Sequence, residues 1–149
     1  VIVDSRLRTP PTARLFSVPE RQVWVVTVGR NTPGREERAA ALRAAGAEII
    51  TLEAGLDGRS DLRALMQELG KREVNELHVE AGAILNGAML EAGLADELLA
   101  YVAPMLIGPG RPLADLPTLQ RWSDASRWGL HRMQEVGEDL RLQLRRKPS

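Results

Sequence analysis

The residues best equipped for chemistry sit together at positions 77–88, Leu-His-Val-Glu-Ala-Gly-Ala-Ile-Leu-Asn-Gly-Ala. A carboxylate, Glu80, is followed two positions later by Gly82, and the hydrophobic period changes there. Leu77 and Val79 alternate with His78 and Glu80, the pattern of a strand with two unlike faces. Further on, Ile84, Leu85, Ala88, Met89 and Ala92 fall on one helical stripe, and Gly93 reads as its stop. The spacing predicts a strand over 77–80 that turns through Ala81-Gly82 into a helix. The first amides of such a helix have no intrahelical partner and stand at the positive end of its dipole. A phosphate can approach them closely where no Cβ intervenes. Gly87, inside the helix, costs about 1 kcal/mol relative to Ala, which argues for close packing against a strand or a ligand. The same glycines also suit a plain strand-to-helix connection, and the spacing alone leaves both readings open.

Other residues carry a weaker signal. His78 shares a face with Glu80, although a sheet histidine satisfied by its neighbours is the simpler reading. Asp96-Glu97 read as turn and solvated residues. Arg6 and Arg30 stand where strands end, where either could meet a 2′-phosphate, but a surface role is the simpler one for each. Asp4-Ser5 can cap or bind through side-chain oxygens. Trp24, Trp122 and Trp128 read as packing residues.

Composition narrows the function classes. The 20 basic and 20 acidic residues cancel, so no global field recruits nucleic acid or an anionic membrane. The chain has no cysteine, which excludes disulfides and thiolate metal sites. His78 and His131 are far apart in sequence, and no metal site is expected. No apolar run approaches the length needed to span a bilayer. With 149 residues the chain is long enough to bury a core, and a cytoplasmic α/β domain is the expectation.

The elements that must position these residues follow from the pattern along the chain. Residues 1–3 read as a short strand. Thr9-Pro10-Pro11 is an extended or turning segment. Val23–Val28 is a continuous apolar run, typical of a parallel strand covered on both faces. Thr32-Pro33 is an N-cap followed by Pro at N1, with Glu36 and Glu37 near the positive end, and Gly46 closes that helix. A strand at 48–52 completes a βαβ unit. A turn at Leu56-Asp57-Gly58 precedes a helix at 61–69, with Leu62, Leu65, Met66 and Leu69 on its buried stripe and Gly70 as its stop. The alternation argues for a largely parallel sheet packed with helices. The last third differs. Residues 97–107 are an apolar run bent at Pro104, and a loop then reaches to about Ala125. Trp128–Val136 and residues 140–144 flank Gly137-Glu138-Asp139, a hairpin signal. Leu140, Leu142 and Leu144 face one way. Residues 145–149 read as a frayed basic tail.

Several of these segments, in this order, resemble one family. They are Leu65-Met66-Gln67-Glu68-Leu69-Gly70-Lys71, Val79-Glu80-Ala81-Gly82, and the run from Gly87-Ala88-Met89-Leu90-Glu91 to Ala92-Gly93-Leu94-Ala95-Asp96-Glu97. Tyr101-Val102-Ala103-Pro104-Met105-Leu106-Ile107-Gly108 and the opening Val3-Asp4-Ser5-Arg6-Leu7-Arg8 fit the same pattern. Nearly the whole chain is similar to the reductase domain of the bifunctional riboflavin-biosynthesis deaminase/reductase. The resemblance implies an α/β, dihydrofolate-reductase-like fold, with a mostly parallel sheet flanked by helices and a C-terminal antiparallel hairpin. It implies NADPH as hydride donor and reduction of the ribosyl group of 5-amino-6-(5-phosphoribosylamino)uracil to the ribityl form.

By the same resemblance Glu80 contacts the substrate, through a hydroxyl or a ring N–H rather than as a base. Gly82, Ala83, Ile84, Leu85, Asn86, Gly87 and Ala88 hold the cofactor, and Ser5 adds a further contact to it. No catalytic residue is assigned. The family is typically homodimeric and follows a zinc-dependent deaminase domain, which needs His-x-Glu and Pro-Cys-x-x-Cys. Without cysteine, this chain carries no deaminase step. In the family, a strand, a lysine-containing segment and several arginines and aspartates hold the ribose phosphate ahead of the equivalent of Val1. The expectation for 1–149 is therefore a reductase domain lacking its N-terminal portion. Ala81 stands where the family often has glycine. The alternatives are another dihydrofolate-reductase-like enzyme with a pteridine or pyrimidine substrate, or a non-catalytic nucleotide-binding module.

Overall fold

Six residues of unbroken apolar character, Val23–Val28, form the central strand of the first half of the molecule. The computed structural model describes residues 1–29, 33–55, 58–121, 123 and 125–147. The chain divides into two compact units, Val1–Glu76 and Leu77–Ser149.

In the first unit β1 (Ile2–Val3), β2 (Val23–Val28) and β3 (Ala47–Leu52) form a parallel sheet in the order β1-β2-β3. Val25 aligns with Ile2 on one side and Ile49 on the other. The strand alternation sorts the core into two layers. Val23, Val25 and Ala47 pack with Ala39 and Leu42 of α1 (Arg35–Ala44) and with Leu7. Val26 and Ile50 pack with Leu65 and Leu69 of α2 (Leu62–Lys71). A short 3-10 helix, Arg14–Ser17, brings Leu15 and Phe16 against the first layer.

The helix ends depart from the sequence reading in two places. Thr32, expected to cap α1, lies outside the described residues. Pro33 precedes the helix, because Gly34 is the N-cap at φ +67 and that left-handed turn cannot continue an α-helix. Glu36 and Glu37 do occupy the first turn. Asp61 caps α2, accepting from the Arg63 and Ala64 amides at 2.8 and 3.2 Å. Gly70 does not stop α2, which runs through it to Lys71. The stop comes at Arg72 and Glu73, the latter at φ +62. Arg72 is anchored there by Glu48 at 2.6 Å, by Glu68 at 3.0 Å and by the Trp24 ring, 5.0 Å from its guanidinium carbon.

In the second unit the expected strand at 77–80 is absent. The segment has no regular secondary structure, is exposed, and has no ladder partner among the described residues. A period-2 pattern sets the faces of a strand, but a strand also needs a neighbour for its N–H and C=O groups. The helix does follow, as α3 (Ala83–Glu91), with Gly82 as N-cap. Its predicted stripe is only partly buried: Met89 is, Leu85 and Ala88 are half-buried, and Ile84 is 58% exposed. With Asn86 and Glu91 as its only polar residues, α3 has no polar face by which the pattern could define the buried one. β4 (Glu97–Val102), β5 (Trp128–Val136) and β6 (Asp139–Arg146) form an antiparallel sheet in the order β4-β6-β5. The hairpin turns at Gly137, φ +63. β4 ends before Pro104 and joins this hairpin rather than the parallel sheet. A bulge in β5 falls between Leu130 and Arg132. The basic tail is less free than its composition suggests. Arg145 pairs with Glu97 at 3.0 Å, and Arg146 donates to the Gly93 carbonyl at 2.8 Å. Among the described residues no helix is long and apolar enough to cross a membrane.

One local arrangement fixes the end of β1. The Asp4 carboxylate accepts from the Thr9 amide and hydroxyl, both at 2.7 Å, and from the Arg6 amide at 3.2 Å. Leu7, at φ +51, is thereby turned into the core. Burial pushes the Asp4 carboxyl up. The bonds from Thr9, Arg6 and Arg8 together outweigh it and hold the group below the ordinary aspartate value. A carboxyl so lowered stabilises the fold above its unfolded-state pKa, and that stability is lost as pH falls toward the folded one. Asp4→Asn should therefore cost about 1 kcal/mol near neutral pH. In urea unfolding, the gap from the unsubstituted protein should close as the pH drops below the ordinary aspartate range.

Candidate functional site

The residues singled out by sequence fall in both units: Ser5 in the first, Glu80 and 82–88 in the second. Ser5 follows the C-terminal end of β1, the end of a parallel sheet where α/β folds hold ligands. Its backbone carbonyl accepts from the hydroxyl of Thr27, a fully buried residue, at 3.3 Å. Its hydroxyl accepts from the Ser60 amide at 3.2 Å and lies 3.1 Å from the Ser60 hydroxyl. Ser60 is carried there by the turn after β3. In that turn Ala54 bridges Ser60, and Gly55 and Gly58 bond across the tip.

In the second unit Glu80 is 85% exposed at its side chain, and His78 Nε2 lies 3.4 Å from Glu80 Oε1. The face shared by these two side chains survives even though the strand does not form. Gly82 has φ −79, and a Cβ built on it would meet nothing within 4 Å. No side chain caps α3, and its first turn holds no acidic residue. The amides of Ala83, Ile84 and Leu85 thus have no intrahelical partner, and the helix's own first turn offers them no carboxylate. This end of α3 fits an anionic group such as a dinucleotide phosphate.

Gly87 and Asn86 have roles that the spacing does not distinguish. A Cβ on Gly87 would run into the Asp115 carbonyl. The close approach is real, but its partner is the chain's own loop rather than a strand or a cofactor. The Asp115 amide in turn donates to the Ala83 carbonyl at 2.8 Å. The Asn86 side-chain amide donates to the Ala81 carbonyl at 3.1 Å and to the Leu113 carbonyl at 2.9 Å. Both of its protons are committed to backbone, so Asn86 fastens the Ala81-Gly82 turn to the loop at 113–115. Sequence reasoning missed Thr27, Ser60 and Asp115. No local spacing links them to positions 5 or 87, and only the fold does.

Arg30 and Trp122 lie outside the described residues. Arg6 is exposed. Glu97 is engaged with Arg145 and Gln143, and these bonds hold its carboxyl below the ordinary glutamate value.

A parallel βαβ unit in the first half, and an antiparallel sheet with a helix led by Gly82 in the second, are the elements that carry the candidate residues. The model of the RibD C-terminal domain family matches residues 1–142. The chain is 39% identical over 144 residues to the riboflavin biosynthesis protein RibD of Haemophilus influenzae, covering 95% of this chain and 35% of that protein. It is 37% identical to the 2,5-diamino-6-ribosylamino-4(3H)-pyrimidinone 5′-phosphate reductase of Methanothermobacter thermautotrophicus, covering 94% of this chain and 62% of that protein. The solved structure of Acinetobacter baumannii RibD superposes with a TM-score of 0.69 at 30% identity, over 95% of this chain and 35% of that one. The chain belongs to the RibD C-terminal domain family. It spans about a third of the RibD proteins it matches.

The geometry separates the two glycines by experiment. Gly87→Ala must move the Asp115 backbone and should cost about 2 kcal/mol or more in urea unfolding. Gly82→Ala meets open space at an ordinary φ, gives up only glycine's advantage over alanine as an N-cap, and should cost about 1 kcal/mol or less.

Proposed function

We propose that the protein is an NADPH-dependent reductase of riboflavin biosynthesis. It reduces the ribosyl group of 5-amino-6-(5-phosphoribosylamino)uracil to the ribityl chain. The observation that carries this reading is the open N-terminal turn of α3, uncapped and led by Gly82, in a chain of the RibD C-terminal domain family. The named activity of the Methanothermobacter relative, a pyrimidine ribose phosphate reductase, supports it.

In this reading the amides from Ala83 to Leu85 hold a cofactor phosphate, and Gly82 keeps the approach clear. Asn86 and Gly87 keep that turn in place through the loop at 113–115, and Ala88 continues the helix behind it. Ser5 adds a hydroxyl contact to the cofactor. The nicotinamide supplies the hydride when bound. Glu80, exposed and unencumbered apart from His78, accepts a hydrogen bond from a substrate hydroxyl or ring N–H and orients the sugar. The reading includes a homodimer, for which sedimentation would report twice the chain mass.

The test is the absorbance decay of NADPH with the uracil substrate and, separately, with the diaminopyrimidinone ribose phosphate named for the relative. Faster decay with the uracil supports the reading. Decay only with the diaminopyrimidinone reassigns the substrate, and decay with neither removes the reductase. Glu80→Gln should leave NADPH affinity within about threefold while lowering kcat/KM about 10- to 100-fold, the scale of a lost charge-assisted bond. Equal damage to both would mean that Glu80 holds the turn rather than the substrate.

A further inference from the structure

We propose that Ser60 is a positioning residue that turns the Ser5 hydroxyl into a committed donor toward an acceptor oxygen of the bound dinucleotide. The inference rests on the reading of Ser5 as a cofactor contact.

A serine hydroxyl has one proton and two acceptor sites. At Ser5 one acceptor site is taken by the Ser60 amide, 3.2 Å away. The two hydroxyl oxygens are 3.1 Å apart, and either can donate. If Ser5 donates, its proton is lost to a ligand, and the Ser60 proton is left over in a residue only 7% exposed. Among the described residues the Ser60 hydroxyl has no partner other than Ser5. If Ser60 donates, both acceptor sites of Ser5 are filled and its proton must point elsewhere. A ligand oxygen therefore selects the second arrangement, in which both protons are used. Two donors into one hydroxyl also polarise it and strengthen the bond that it gives.

The scaffold holds both partners still. Thr27 fixes the Ser5 carbonyl from the buried side, and the Asp4–Thr9 bonds fix the loop that follows. Ser60 is fixed by its bridge to Ala54 and by the adjoining cap of α2 at Asp61. Removing the Ser60 hydroxyl leaves its backbone amide in place, so the substitution isolates the proton it supplies.

The experiment is a fluorescence titration of NADPH against the protein and its Ser5→Ala, Ser60→Ala, Ser60→Cys, Ser60→Thr and Ser5→Ala/Ser60→Ala variants, with the Tm of each. Ser60→Ala is expected to raise the Kd about three- to tenfold. Ser60→Cys keeps the shape but offers a weak S–H donor, so it should shift the Kd the same way and serve if the alanine variant does not fold. Ser60→Thr should recover most of the affinity. In the Ser5→Ala background, loss of the Ser60 hydroxyl should change nothing further. An unchanged Kd in both Ser60→Ala and Ser60→Cys overturns the proposal, as does an equal loss in the Ser5→Ala background. If Ser5→Ala itself binds NADPH normally, the cofactor role of Ser5 falls and this inference with it. If the unsubstituted protein binds no NADPH, the proposed function falls as well.

Discussion

A strand that is dry on both faces dictates most of the first unit. Val25, Val26, Thr27 and Val28 of β2 are almost wholly buried, so every backbone polar group there must find a partner within the protein. Parallel neighbours on both edges supply those partners, and helices on both faces supply the cover. Once that is settled, the chain has to turn at the same end of the sheet after β1, β2 and β3. Ser5, Thr27 and the turn bearing Ser60 are collected there by topology, although they are scattered along the sequence.

The second unit is organised by contact rather than by a buried strand. α3 is short and almost uniformly apolar, and little in its own sequence defines how it should lie. The Gly87–Asp115 approach and the two bonds from Asn86 do so. They tie a loop without regular structure to the first turn of the helix. This leaves the opposite requirement, an open set of amides at Gly82, unobstructed. Order at one point of the turn is thus compatible with access at the next.

What could be read from residues alone follows this division. β2 was legible from its unbroken apolar run, and α1 from the acidic first turn and the glycine after it. β3 was legible as the strand that completes the unit, and α2 from its leucine stripe, because burial and helix ends leave marks that are local in sequence. The hairpin was legible from Gly137 and the alternating leucines. The segment at 77–80 was misread as a paired strand because alternation carries no information about a neighbour. Gly70 was misread as a stop because a glycine on the exposed side of α2 costs stability without ending the helix. At the site, Gly82 and Ser5 stood out by type and position. The partner of Gly87, and the hydroxyls around Ser5, lie 22 to 55 residues away in sequence, beyond any local pattern.

The bulge in β5 works as a correction of parity. Leu130 aligns with Leu144, and beyond the bulge Met133 aligns with Leu142, while Arg132 and Gln134 align with Gln143 and Arg141. An uninterrupted ladder would have set Arg132 opposite Leu142 and Gln134 opposite Leu140, sending their charge and polarity to the leucine side. The one extra residue, His131, shifts the phase of the strand midway, so that Met133 joins Leu130 on the side of Leu142 and Leu144, with Glu135 following them opposite Leu140. Deleting that residue would change no composition worth noting, yet it would exchange one face of the sheet for the other along the rest of the strand.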